Sequence, residues 1–349
     1  MDDFAGSLLG RVALRFDAGH EHVPQDLSAS LRTPGGGLLV AADELASLEL
    51  LQPASTNLYA RHRSFSLHQA LELAPDDEID IEGLARAQDA DAFFLIGSHS
   101  AKRKKPRGKS DQADLERLAD VKVEATREVL ARIELHDGVP QLDRKLAVLA
   151  AEGEGSLLGL LARDPHLGPF VQRSEELVIP GKDNGFDVEG LAHLEGRLLV
   201  GLRGPVLRGW AFVLDLPLEV VGGALKLGGK KHRYRKHALD LDGLGVRDLL
   251  VHGNDVLVLA GPTMALDGAH RIFRWSGGPS DQGDTMVRQA KGALEHVLDV
   301  PFQRGFDRAE GIAAASWFDE DDSLLVIYDA PGKARQLDAC TVLADVFAL

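Results

Sequence analysis

The sequence predicts an all-β fold, a β-propeller, on three observations: a short motif recurs along the chain, a second apolar run follows every copy, and turn residues separate the two. The copies read Asp80-Ile81-Glu82-Gly83-Leu84-Ala85, Asp187-Val188-Glu189-Gly190-Leu191-Ala192, Gly245-Val246-Arg247-Asp248-Leu249 and Ala309-Glu310-Gly311-Ile312-Ala313. The runs that follow occupy 93–97, 198–201, 256–259 and 324–327, with Gly, Asp or Asn before them. Each copy is therefore strand, turn, strand. A fifth copy, without the Glu, runs from Asp26-Leu27-Ser28 through Pro34-Gly35-Gly36-Gly37 to Leu38-Leu39-Val40.

Spacing arranges the copies. Positions 26, 80, 187, 245 and 307 are separated by 54, 107, 58 and 62 residues. The long gap is about two periods, which predicts six blades, with five as the alternative. The cleanest copy continues with two more candidate strands, 210–216 and 232–239, and four antiparallel strands make a blade. A doubly wound α/β fold would need helices between its strands, and these linkers are too short and turn-rich. Residues 111–129, 142–151 and 156–163 have helical character and predict a partly helical insertion around 111–170, while 129–135 reads as the outer strand of the second blade. Segments 11–16 and 341–346 are suited to close the ring by pairing the termini, making 1–349 a single propeller domain.

Composition narrows the function. With 39 Lys plus Arg against 54 Asp plus Glu, the net charge is −15, and such a surface repels polyanions, which argues against nucleic acid as a partner. The single cysteine, Cys340, excludes an intramolecular disulfide and fits a reducing, cytoplasmic setting. No run approaches the ~18 apolar residues of a membrane span. One segment departs from the acidic background: residues 102–109 carry six positive charges in eight positions. It reads as a solvated loop, or as an anion-attracting flap over the channel mouth. His20-Glu21-His22 spaces two imidazoles for metal, but with no third ligand evident it reads as a surface turn.

In a propeller the first strand of each blade lines the central channel. The start of that strand lies beside the end of the second, so Glu82, Glu189 and Glu310 should ring one mouth with Asp43, His99, Arg203 and Asp329. Arg247 stands where other copies have Glu, and Asp248 follows it. Carboxylates gathered on one axis need positive charge among them. Three arrangements supply it or avoid the need: a hard divalent cation such as calcium or magnesium on Glu82, Glu189, Glu310 and Asp329; pairing with Arg203 and Arg247; or a repeat-structural latch in which each Glu accepts backbone N–H groups. In the first, Arg203, Arg247, Asp248, Asp43, Glu44 and Ser100 bind a small anionic ligand. His99, Glu189 and Glu82 then serve metal-assisted ester or phosphoester hydrolysis. The alternative is a noncatalytic propeller with a structural Glu–Arg ring, binding a ligand or a protein partner.

At these residues the chain resembles the bacterial domain-of-unknown-function family 3616. The matching elements are 80–85 with Gly-Ser-His-Ser at 97–100, Val-Glu-Gly-Leu-Ala at 188–192 with Gly-Leu-Arg-Gly-Pro at 201–205, and Val-Arg-Asp-Leu at 246–249 with Ala-Gly-Pro-Thr at 260–263. The resemblance implies a propeller-like fold and no established activity. More distantly, the Glu-Gly turns are similar to those of esterase-like phytase and SdiA-regulated propellers. That likeness implies a channel-mouth cation and phosphoester chemistry.

Overall fold

The computed structural model describes residues 8–349 except 44, 173–176, 229–233, 281–282 and 318–319, and no side chains over 315–321. Its strands form five blades around one channel, and the protein is an all-β propeller. The inner strands are Leu27–Arg32, Ile81–Arg86, Asp187–Leu194, Gly245–His252 and Arg308–Trp317, and each packs beside the next until the fifth returns to the first. Five hydrophobic clusters fill the layers between neighbouring blades, one per layer. The middle strands are buried on both faces, which explains their unbroken apolar runs, such as Ala92–Gly97 and Leu38–Ala42.

The described strands make five blades, the alternative count, and not six. Between Ile81–Arg86 and Asp187–Leu194 no further inner strand occurs among the described residues. Blade two joins blade three directly, through the Val188 N–H donating to the Ser98 carbonyl at 2.9 Å and the Gln88 N–H donating to His193 Nδ1 at 3.1 Å. The extra length lies outside the ring. It contains a helix, Asp111–Ala119, the third strand of blade two, Leu130–His136, and two short helices, Leu157–Leu161 and Gly168–Val171. The expected helix over 142–151 is extended chain, with Ala147–Val148 pairing to the third strand. Leu157, Leu160 and Leu161 pack into the layer between blades two and three. Asp164 then pins this segment to blade three by accepting from Lys236 Nζ at 2.6 Å and Tyr234 Oη at 2.5 Å.

The termini close the ring as expected: Leu8–Arg15 pairs antiparallel with Thr341–Ala348 as the outer strand of blade five. The outer strand of blade three is Arg235–Asp240, with residues 232 and 233 of the expected 232–239 outside the described residues. No helix is long and apolar enough to cross a membrane, among the described residues.

One local device, repeated five times, builds the channel mouth. Every inner strand has a register shift at the same place, skipping Ser28, Glu82, Glu189, Arg247 and Glu310. A β-bulge leaves its extra residue unpaired and re-aims the side chain, so the motif's third position leaves the ladder. The next position is Gly in three blades because the inner strands approach closely there. A Cβ on Gly83 would stand 2.8 Å from Leu191 Cβ, and one on Gly190 3.0 Å from Val246 Cγ1.

Candidate functional site

Read around the ring, the bulge residues run Ser28, Glu82, Glu189, Arg247, Glu310, so the single arginine stands between two glutamates. Arg247 Nη1 donates to Glu189 Oε2 at 2.8 Å and to the two Glu310 oxygens at 2.7 and 2.6 Å. Arg203 Nη1 donates to Glu189 Oε1 at 2.5 Å. Two further arginine donors are held by backbone, Arg203 Nε by the Thr263 carbonyl and Arg247 Nη2 by that of Pro262, both at 2.8 Å, while Arg247 Nε is buried without an acceptor among the described residues. Asp248 completes this half. Its carboxylate accepts the N–H groups of Leu249 at 2.7 Å and Ile312 at 2.8 Å, stitching blade four to blade five.

The electrostatics follow from this wiring. Burial would raise Glu189, but Arg203 and Arg247 outweigh it and hold the carboxyl below its usual range. Glu310 shares one guanidinium with Glu189, and burial with the Glu189 charge pushes it up to about 7 despite Arg247. Asp187 is pushed to about 7 by burial and by Glu189. Both groups are held above their ordinary values of 4.5 and 3.8, so folding is favoured fully below those values and the contribution is lost as pH rises through about 7. The melting temperature of the chelator-treated protein should accordingly fall as pH rises from about 5 to about 8, which a thermal scan across buffers checks.

The other half of the ring is built differently. Asp43, Asp80 and Glu82 bring carboxylate oxygens within 4.8 Å of one another. Asp80 accepts from Arg127 Nη1 at 2.8 Å. Glu82, only 9% exposed, has no hydrogen-bond or salt-bridge partner among the described residues, and Asp43 Oδ1 is buried with no donor. Burial raises both Asp43 and Glu82 well above the carboxylate range, aided by the Asp80 charge on Asp43 and by the Asp43 and Asp80 charges on Glu82. These three groups border a cavity of about 600 Å³ at the channel mouth, whose wall also includes Asp26, Asp187, Arg308, Asp329 and Ser100.

The basic segment forms the cavity's lip. Lys102, Arg103, Lys104, Lys105 and Pro106 line it, together with Lys182 from the turn Gly181–Asp183. Strand Lys102–Arg103 pairs with Val121–Lys122, and the helix between them, capped by Ser110, turns the loop back over the mouth. Arg103 Nε is fixed to Asp183 at 2.7 Å and Lys104 is paired with Asp120. Lys105 and Lys182 have no ion pair among the described residues.

The residues singled out from sequence therefore divide. Glu82, Asp43, Asp329 and Ser100 meet at the cavity, while Glu189, Glu310, Arg203, Arg247 and Asp248 form the charge-neutralised half beside it. His99 does not line the cavity. The Ser98 N–H donates to the Asp80 carbonyl, so Ser98, not His99, stands opposite Asp80, and a one-residue slip turns the side chain elsewhere. His99 is buried, with φ of 51° and Nδ1 at 2.9 Å from the Gly97 carbonyl. Glu44 lies outside the described residues. His20 does come near Glu49 and His62. However, the Asp17 N–H donates to His62 Nδ1, which leaves the proton on Nε2 for Glu49 at 2.6 Å, and that pair is already satisfied.

Sequence reading missed Asp80, Arg127 and Lys182. Asp80 carried a signal, since aspartates 26, 80 and 187 each sit two positions before the bulge residue and all three line the cavity. Arg127 carried none. Buried at 6% exposure, it grips Asp80, Ser98 Oγ and Ser100 Oγ with one nitrogen, and so aims Asp80 at its neighbours. Were this cluster to hold a divalent cation, Arg127→Lys would weaken its affinity by about 10- to 100-fold, as loss of an outer-shell partner does. A titration followed by thermal shift reads this.

A family model described as protein of unknown function, DUF3616, matches residues 26–345. The chain belongs to this family. The curated proteins include no match. Among solved structures, the chain is similar to the PQQ-bound aldose sugar dehydrogenase of Streptomyces coelicolor, at 13% identity and a TM-score of 0.41, covering 99% of this chain and 100% of that one. It is also similar to the virginiamycin B lyase of Staphylococcus aureus, at 9% identity and 0.36, covering 97% and 99%. A luciferin-regenerating enzyme follows at 10% and 0.40, covering 97% and 96%. The DUF3616 family carries no assigned chemistry, so function must be argued from the cavity.

Proposed function

We propose that this DUF3616 propeller binds a divalent cation on Asp43, Asp80 and Glu82 and, beside it, a small anionic ligand, and that it hydrolyses an ester or phosphoester there. One observation carries the reading. Two of three clustered carboxylates, Glu82 and Asp43, lack the partners that every other buried acid of the ring has. Buried charge without a partner is costly, and an all-oxygen donor set suits a hard cation of the calcium or magnesium type.

Such a cation supplies Lewis-acid polarisation and an activated water. The chain's own groups do the rest. Lys105 and Lys182, free of ion pairs among the described residues, neutralise the anion at the lip. Asp187 lines the same cavity with a carboxyl near 7, suited to take a proton from water and return it to the leaving oxygen. Arg127 keeps Asp80 oriented. A noncatalytic binding propeller is the competing reading, favoured by the neutralised Glu–Arg half, which has the character of a structural latch.

A panel of phosphomonoesters, phosphodiesters, carboxylic esters and lactones, assayed with magnesium, calcium or chelator, separates the two. Metal-dependent turnover that is lost in Glu82→Gln supports hydrolysis. Cation and anion binding with no turnover across the panel supports the binding protein.

A further inference from the structure

Exposed apolar residues gather at this same mouth. Thirteen large apolar side chains are exposed among the described residues, and six stand on three segments that border the cavity. Leu118 lines it at 39% exposure, one turn after Leu115 on helix Asp111–Ala119. Ala265 lines it between Met264 and Leu266, which are 42% and 60% exposed. Phe302 and Phe306, at 40% and 52%, precede the wall residue Arg308. Their loop is tied to the Met264 loop by the Gly305 N–H donating to Asp267 Oδ1 at 2.9 Å and by Phe302 packing on His270.

Single exposed apolar residues need no explanation, but six on the segments that border one charged cavity do. A wholly polar ligand would make no use of them. We infer that the ligand is amphiphilic: its anionic headgroup enters between the carboxylate floor and the lysine lip, and an alkyl or acyl chain of the same molecule lies out along Leu118, Met264, Leu266 and Phe306. The charge arrangement selects this occupant. Apolar surface and unpaired lysines adjoin at one opening, so head and tail are recognised within one molecule's reach. The inference rests on the anion site proposed above and names its substrate class.

Calorimetric titration with ethyl, butyl, hexyl and octyl phosphate, each below its micellar concentration and with magnesium present, tests it. Full burial of a methylene gives about fourfold in affinity. A chain half-covered by an open rim gives about twofold, so octyl phosphate should bind about 50-fold tighter than ethyl phosphate. In Met264→Ser/Leu266→Ser/Phe306→Ser, whose changes are at exposed positions, ethyl phosphate should bind as in the wild type and the gain with chain length should fall below about fivefold. Ethyl phosphate binding with no chain-length gain in the wild type would overturn the inference and leave the anion site standing. A gain that persists in the triple variant would also overturn it, by locating the chain elsewhere. If neither ethyl nor octyl phosphate binds, the anion site itself fails and the inference with it.

Discussion

Arg247→Met is expected to destabilise the protein by about 3–5 kcal/mol, the usual cost of stranding buried charge when one partner of an ion pair is removed. The variant keeps much of the side-chain volume and deletes the guanidinium. One nitrogen of Arg247 holds both Glu189 and Glu310, and all three residues are nearly inaccessible to solvent. Without it two carboxylates, on blades three and five, face each other past blade four, with Arg203 left to serve Glu189 alone. Denaturant unfolding at neutral pH reads the loss, and the melting temperature should fall by roughly 5–10 °C. Adding Glu310→Gln should recover about half, because it removes the carboxylate that has no second arginine. A loss below about 1 kcal/mol would mean that the latch contributes little to the ring.

Glu82→Gln is expected to act in the opposite direction. Glu82 occupies the same motif position as Glu189, but its neighbours are Asp43 and Asp80, and no donor reaches it among the described residues. The isosteric amide removes a buried charge that burial and those neighbours disfavour. The metal-free variant should therefore be more stable than the metal-free wild type by about 1–2 kcal/mol, the familiar exchange of stability for function at a built site. The wild type should gain about 2.7 kcal/mol from a cation at 100 times its dissociation constant, and the variant should gain almost nothing. Thermal scans with chelator and with saturating cation measure both quantities. A Glu82→Gln variant that is destabilised without metal would place Glu82 with the latch.

Two glutamates at one motif position thus have opposite surroundings, and the difference was legible only in part. The recurring motif, the closure strands and the shared mouth could be read because each residue's role depends on neighbours in its own hairpin. The order Ser28, Glu82, Glu189, Arg247, Glu310 already placed the arginine between two glutamates once the ring had five members. The count of five was hidden by a 107-residue gap, since length alone cannot tell a blade from helices packed outside one. His99 was misplaced because no proline marks the end of the second strand in blade two as it does at Gly204-Pro205, Gly261-Pro262 and Ala330-Pro331, and pairing of Ser98 with Asp80 depends on hydrogen bonds rather than residue type. Arg127 and Lys182 reach the cavity from loops far along the chain, and no periodicity marks such residues.

A ring divided into an arginine-neutralised latch and a cation site is decided by calorimetric titration of the chelator-stripped protein with calcium and magnesium. One ion per chain should bind in the wild type, with binding lost in Asp43→Asn and retained in Glu310→Gln. No binding in the wild type, or binding that survives Asp43→Asn and disappears in Glu310→Gln, would contradict it.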